Sequence, residues 1–372
     1  MHDYAARCAK VAAKLREEGL AACMFRDTEG ALDTSVRYLT GQPGDGILVV
    51  SAEGRAVLAA WDFNMAKSLA TADEILPYTD FKRMPTLALA GILSRLGVPK
   101  GSRVELPAAT SYPHYADYVE TLVDYDLVCR HGGMAEFVSN MRAVKDATEL
   151  GIYRRAAKIT DDLVDAIESA VRSGAIATEL DAGLFIEREC RLRGCEGTGF
   201  ETLAAGPSRS FGIHAFPPFG AGPFATKGLS ILDFGLRFEG YTTDVTMGFA
   251  RGPLDAKAER MVELVIRAHA ECISMVAPGV ASRDIALRAD AIFAEAGMVM
   301  PHGLGHGVGL EAHEAPAVRN REDNRDILEP GHIITIEPGL YDPELGGIRL
   351  EDDVLVTASG HEVLTRSRIV RL

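Results

Sequence analysis

Four acidic residues sit where a carboxylate is costly. Asp233 lies in Leu232-Asp233-Phe234-Gly235 and Asp244 in Thr243-Asp244-Val245-Thr246. Glu337 follows Ile333-Ile334-Thr335-Ile336, and Glu351 follows Ile348-Arg349-Leu350. Each is set among apolar β-formers, the pattern of a buried strand. A buried carboxylate without a partner costs several kcal/mol, or takes up a proton instead. Paired residues of an antiparallel hairpin have a constant index sum. A turn centred between Glu239 and Gly240 gives 479, and Asp233 with Asp244 gives 477. These two acids are therefore expected nearly opposite each other. Like charges so placed destabilise a sheet, and a cation between them reverses the sign. Spacing alone leaves two readings open, a metal site or acids that face solvent.

Between the two acid pairs lies His302-Gly303-Leu304-Gly305-His306-Gly307-Val308-Gly309. The glycines predict a turn with positive φ that aims a side chain inward. His306 suits a nitrogen ligand beside oxygen ligands. A single loop histidine is more often a hydrogen-bonded structural residue. One placed between two acidic hairpins reads as a ligand. Other chemistries lack their marks. There is no G-x-S-x-G elbow and no phosphate-binding G-x-x-x-x-G-K-[ST]. His313-Glu314 is not the start of H-E-x-x-H, because Ala317 fills the last place.

The elements that position these residues follow from periodicity. The first third alternates helices and short strands, which predicts an α/β domain. An amphipathic helix is expected over 5–18, ended by Gly19. From residue 143 to 171 apolar residues recur at helical steps. Thr178-Glu179-Leu180-Asp181 reads as a capping box that opens a second helix. Strands follow over 230–236 and 241–250, joined by a tight turn at Glu239-Gly240. Helices over 255–276 and 282–296 come next, then strands over 332–337 and 348–357. The second part is thus helix, helix, strand, strand, used twice, with a domain division at 139/140.

The chain has 372 residues, which suits two domains. No segment approaches the ~20 apolar residues that span a bilayer. The N-terminus lacks the apolar core of a secretory signal. Six cysteines without a C-x-x-C pair fit reduced thiols in the cytoplasm. A net charge of −14 disfavours nucleic acid as a partner and biases the protein toward cations.

Five segments together resemble the pita-bread metallopeptidases, the group of aminopeptidase P, prolidase and methionine aminopeptidase, with creatinase as a metal-free relative. They are Asp233-Phe234-Gly235, Thr243-Asp244-Val245-Thr246, His302 to Leu310, Ile336-Glu337-Pro338-Gly339-Leu340-Tyr341 and Gly347-Ile348-Arg349-Leu350-Glu351-Asp352. The resemblance implies a creatinase/prolidase-like α/β N-terminal domain over 1–139. It implies an α+β pita-bread catalytic domain over 140–372 with a pseudo-two-fold repeat. It also implies Asp233, Asp244, His306, Glu337 and Glu351 as ligands of two divalent ions, manganese or cobalt before zinc. Asp244 and Glu351 would bridge both ions. His214 and His313 would face the substrate, His302 would be a further pocket histidine, and Arg349 would orient a carboxylate ligand from behind.

The expected activity is hydrolysis of an N-terminal Xaa-Pro bond of short peptides. A hydroxide held between the ions would be the nucleophile and Glu337 the proton shuttle. The expected partner is a peptide with proline in second place, and the family suggests a homodimer. A proline-preceding bond has no amide N–H, so Phe211, Phe216 and Phe219 are candidate pocket apolars. Two departures touch the substrate. Ala317 stands where many prolidases have an arginine for the dipeptide carboxylate, although Arg319 lies near, and Met247 replaces another common arginine. Ala317 favours a peptidase that accepts longer chains. A non-peptide C–N hydrolase and a non-catalytic binding protein are the alternatives.

Overall fold

The computed structural model describes residues 2–29 and 33–372. The chain divides into two compact units, Met1–Arg142 and Ala143–Leu372.

The first unit holds β1 (Ala22–Asp27), β2 (Gly46–Ser51), β3 (Ala56–Ala60), β4 (Glu74–Pro77), β5 (Arg103–Glu105) and β6 (Asp126–Val128). They form one six-stranded sheet in the order β4-β3-β2-β1-β5-β6. Neighbours from β1 to β3 are antiparallel and the outer pairs are parallel. Its helices are α1 (Tyr4–Glu17), α2 (Thr34–Thr40), α3 (Phe63–Leu69), α4 (Pro85–Leu96), α5 (Tyr112–Thr121) and α6 (Met134–Ala143), the last ending at the division. The sheet core is closed by Ala88, Leu89, Ile92 and Leu93 of α4 and Tyr118 of α5. This is the expected α/β arrangement.

The second unit begins with α7 (Ala147–Ser173) and α8 (Glu179–Leu192). The start of α7 lies four residues later than periodicity predicts. Asp146 accepts the backbone N–H of Glu149, and the Glu149 carboxylate accepts that of Asp146. This capping box satisfies end groups that a longer helix would leave open. Thr178 and Asp181 do the same for α8, as expected.

Strands β7 (Gly197–Thr198), β8 (Leu203–Ala205), β9 (Gly228–Phe234), β10 (Leu236–Phe238), β11 (Tyr241–Thr242) and β12 (Val245–Arg251) follow. Glu239 and Gly240 both have positive φ, 48° and 90°, between the paired Phe238 and Tyr241. That is the hairpin turn the sequence predicts. Each expected long strand is broken in two beside its acid. The β9/β12 register pairs Asp233 with Thr246, and Asp244 lies one residue before β12.

The pattern then repeats with α9 (Ala256–Ser274), α10 (Ser282–Ala294), β13 (Gly305–Gly307), β14 (Glu314–Val318), β15 (Ile333–Ile336), β16 (Gly339–Asp342), β17 (Gly346–Arg349), β18 (Asp352–Val356), β19 (His361–Val363) and β20 (Ile369–Arg371). Sheets β20-β12-β9-β8 and β14-β13-β15-β18-β19 are the two larger ones of this unit. Residues of α7 and α8 share one apolar core with β9 and β12, and residues of α9 and α10 share another with β14 to β18. The pair Ile336↔Asp352 has index sum 688, as does Glu337 with Glu351. Those two acids therefore stand at the next step past the ladder. A bridge between Thr246 and Glu351 joins the two halves at the acids.

The glycine-rich segment is a strand rather than a turn. His306 sits in the middle of β13, between β14 and β15. Gly305 and Gly307 are not in the positive-φ region. They serve close approach instead. A Cβ at Gly305 would lie 2.0 Å from the carbonyl oxygen of Thr335, and one at Gly307 2.0 Å from that of Ala315. Gly305→Ala therefore lowers stability by about 1–3 kcal/mol or more. Gly151→Ala, in α7 where a Cβ would meet nothing within 4 Å, raises it by up to about 1 kcal/mol. Urea denaturation of both variants checks this contrast. Equal effects would remove the close-approach reading.

Candidate metal centre

Strand ends converge on one pocket of about 650 Å³. Asp233 comes from the end of β9, Asp244 from the break before β12, and His306 from β13. Glu337 follows β15 and Glu351 precedes β18. All five line the pocket, with His214, His302, His313 and Arg349. Donor atoms of Asp244, His306 and Glu351 lie within 4.8 Å of one another. His306 Nε2 lies 3.8 Å from Asp244 Oδ2 and 3.5 Å from Glu337 Oε1. The other ring nitrogen, Nδ1, is 3.1 Å from the Gly307 carbonyl oxygen. That contact requires a proton on Nδ1, so Nε2 carries the lone pair that faces the acids.

Arg349 is the cation built into the site. It is buried in β17 and contacts Asp233 Oδ2 through Nη2. Its Nε donates to Thr246 Oγ1 at 3.0 Å, and Thr246 Oγ1 donates to Glu351 Oε2 at 2.7 Å. Its Nη1 donates to the Tyr341 hydroxyl at 2.9 Å. One guanidinium thus fixes Asp233 directly and Glu351 through a threonine.

The same chain of bonds settles His302. Its Nδ1 lies 2.7 Å from the carbonyl oxygen of Gly303 and its Nε2 3.0 Å from the Tyr341 hydroxyl. Nδ1–H donates to the carbonyl, so Nε2 accepts from Tyr341, whose oxygen accepts from Arg349. Both ring nitrogens are engaged. His214 and His313 are exposed and line the pocket, and the His313 ring lies against His306, tilted by 38° with centroids 4.1 Å apart. Of the three phenylalanines, only Phe216 lines this pocket, and it is 92% exposed. Phe219 packs into the core of the first half. Phe200, Leu203, Ile213 and Pro218 supply the rest of the apolar wall.

The four candidate-ligand carboxylates and the buried Arg349 leave three formal negative charges uncompensated (−4 + 1 = −3), the exposed Glu201 and Arg319 of the same pocket offsetting each other. Burial is the main cause of the response. It raises the Asp233 carboxyl against the pull of Arg349. It raises Asp244 well above the carboxylate range, with Glu351 adding to the rise, and Glu351 likewise, with Glu337 adding. It pushes Glu337 up to about 7. It lowers His306 to about 4, with His313 adding to the fall, so that imidazole is neutral and able to ligate. Asp233 Oδ1 is buried with no hydrogen-bond partner. An acid cluster of this charge, a neutral imidazole and an orphaned carboxylate oxygen fit divalent ions.

The comparisons with known proteins agree. "Metallopeptidase family M24" matches residues 151–358, and "Creatinase/Prolidase N-terminal domain" matches residues 7–144. The chain belongs to metallopeptidase family M24. This metallopeptidase is 32% identical over 349 residues to an uncharacterized peptidase of Bacillus subtilis, covering 90% of this chain and 92% of that one. It is 29% identical over 345 residues to an Xaa-Pro dipeptidase of Pyrococcus horikoshii, with 91% and 92% covered. Its structure is similar to that of an Xaa-Pro dipeptidase from Bacillus anthracis, with TM-score 0.83, 26% identity, and 99% and 100% covered. The expected two-domain pita-bread architecture therefore stands, and the family implies divalent metal ions.

Sequence reasoning named Arg349 but missed Thr246, Tyr341 and Asp353. Thr246 and Asp353 each lie two residues past a candidate ligand, but a strand break separates each from that ligand, so no period-2 signal marks them. No local signal marks Tyr341.

Metal and pH are linked here. A carboxyl whose pKa is raised by folding adds stability below its unfolded value of about 4 and loses it as pH rises through the folded value. The chelator-treated metallopeptidase thus loses stability toward pH 7, where Glu337 titrates at about 7. Added manganese raises the melting temperature more at pH 7.5 than at pH 5.5, because binding releases these protons. A manganese effect that is the same at both values would exclude these carboxyls as its origin.

Proposed function

We propose that this protein hydrolyses the bond before proline at the N-terminus of short peptides, as an Xaa-Pro dipeptidase or aminopeptidase with a two-metal centre. The observation that carries the reading is the convergence of acids from both halves of the repeat on His306 in one pocket. Asp233, Asp244, His306, Glu337 and Glu351 would hold the ions. One divalent ion cancels two of the three excess negative charges, and the five donor residues are enough to be shared between two ions. Bound there, the ions supply polarisation of the scissile carbonyl and activation of water for attack at neutral pH.

The chain's own residues account for the remaining chemistry. Glu337, whose carboxyl faces the pocket 3.5 Å from His306 Nε2, would take and return a proton at Oε1 or Oε2. His214 and His313, both open to the pocket, would donate to the substrate carbonyl and to the charge that develops on it. His302 is neutral, lowered to about 4 by burial and by Arg349, and holds Tyr341 in place. The wall of Phe200, Leu203, Ile213, Phe216 and Pro218 suits a ring without an amide N–H.

Arg319 also lines the pocket, alongside Ala317. A guanidinium there supports acceptance of the free carboxylate of a dipeptide, and relatives carrying the printed name Xaa-Pro dipeptidase support the same choice. The oxygen-rich donor set favours manganese, with cobalt or zinc next. A cytoplasmic location and a homodimer belong to the same reading. All six cysteines are unpaired, which supports a reducing compartment. Among the described residues, no helix is long and apolar enough to cross a membrane.

Glu337→Ala and His306→Ala are each expected to abolish hydrolysis of Xaa-Pro peptides while far-UV circular dichroism is kept. Full activity in either variant sinks the assignment. Arg319→Ala is expected to raise KM for an Xaa-Pro dipeptide by about tenfold or more, the loss of a charged hydrogen bond, and to leave Xaa-Pro tripeptides nearly unaffected. Equal changes for both lengths would remove Arg319 as the carboxylate partner. Turnover of small C–N amides but of no Xaa-Pro peptide would replace proline peptides as the substrate.

A further inference from the structure

Helix α7 carries three buried polar residues, Glu149, Tyr153 and Thr160. Their spacings of four and seven put them on one helical face. All three are tied, directly or through Asp353, to the same short segment, 241–244. Glu149 Oε1 accepts from the Tyr241 hydroxyl at 2.8 Å. Thr160 Oγ1 lies 2.8 Å from Thr243 Oγ1. The Tyr153 hydroxyl donates at 2.9 Å to Asp353 Oδ2, and that same oxygen accepts the backbone N–H of Asp244 at 3.1 Å.

Segment 241–244 spans the place where the first hairpin breaks. Strand β11 ends at Thr242 and β12 begins at Val245, so the ladder does not hold Asp244. Asp353 does, from β18 of the other half. Asp353 is fully buried and is not among the residues that line the pocket. It is therefore placed to hold Asp244 without meeting metal or substrate itself.

We propose that Tyr153 and Asp353 are a positioning pair, which fixes the backbone of Asp244 at the strand break and thereby aims its carboxylate into the donor cluster. The inference rests on the metal-centre reading above. The tyrosine hydroxyl orients the aspartate, the aspartate replaces the missing ladder acceptor, and the Asp244 carboxylate is held without a loop to settle it. Outer partners of this kind change metal affinity by about 10–100-fold when removed.

The test uses the full chain, stripped with chelator and titrated calorimetrically with manganese alone. Tyr153→Phe keeps the ring in the core and removes only the hydroxyl. It is expected to weaken manganese binding by about tenfold, and Asp353→Ala by up to about 100-fold. Asp353→Asn keeps an acceptor oxygen and is expected to recover most of that loss. At saturating manganese, KM for an Xaa-Pro dipeptide is expected to stay within about twofold, since no substrate contact changes. Wild-type manganese affinity in Tyr153→Phe overturns the pair, even if Asp353→Ala fails to fold. A lowered melting temperature with unchanged affinity also overturns it, because that is a merely structural role. Wild-type protein that binds neither manganese, cobalt nor zinc overturns the metal-centre reading itself, and the pair with it.

Discussion

Four candidate-ligand carboxylates gather around a single buried guanidinium, and much of the second unit follows from that imbalance. Arg349 is buried and spent on Asp233, Thr246 and Tyr341. It offsets one charge of four. Set back from bulk solvent, the remainder either takes up protons or gathers cations. Burial pushes all four acids upward, and Asp233 keeps an oxygen with no partner. Folding alone does not satisfy this cluster.

The scaffold bears the cost by rigid construction. Asp244, Glu337 and Glu351 sit at strand breaks or just past a strand end, where the interrupted ladder lets the side chain turn into the pocket, whereas Asp233 stays in the ladder one residue before the end of β9, paired with Thr246 and Leu203. The breaks are then closed by other means. Gly305 and Gly307 allow β13 to pass close to its neighbours, so that His306 reaches the acids from a strand. Thr246 links Arg349 to Glu351 across the join between the halves. The lone pair of His306 is directed by the Gly307 carbonyl. A ligand set held this way is preorganised, and preorganisation is what a strongly binding centre requires.

Pocket chemistry divides along the same line. The polar floor comes from strands of both halves, whereas the apolar wall comes largely from the segment between β7 and β9. Phe216 stands almost fully exposed on that wall. Arg319, just past β14, adds the one further guanidinium among the pocket residues. The acids and most of the apolar wall therefore sit on different elements, although His214 stands in the wall segment between Ile213 and Phe216.

The sequence by itself determined the repeat, the capping box of α8, the Glu239-Gly240 turn and the residues that meet in the pocket. These are local or periodic signals: a 3.6 or 2.0 repeat, a turn that needs positive φ, acids among apolar β-formers. It misjudged the glycine segment as a turn, because close packing against Thr335 and Ala315 leaves no local trace distinct from positive φ. It placed Asp233 and Asp244 in unbroken strands, because a break closed by Asp353 from another strand cannot be read from the hairpin. Only the tertiary structure decided which side chains are spent on one another. Tyr153 lies 200 residues from Asp353, and the hydrogen bond between them exists only once the halves have packed. Periodicity assigns a residue to a face, but the partner across that face is chosen by packing.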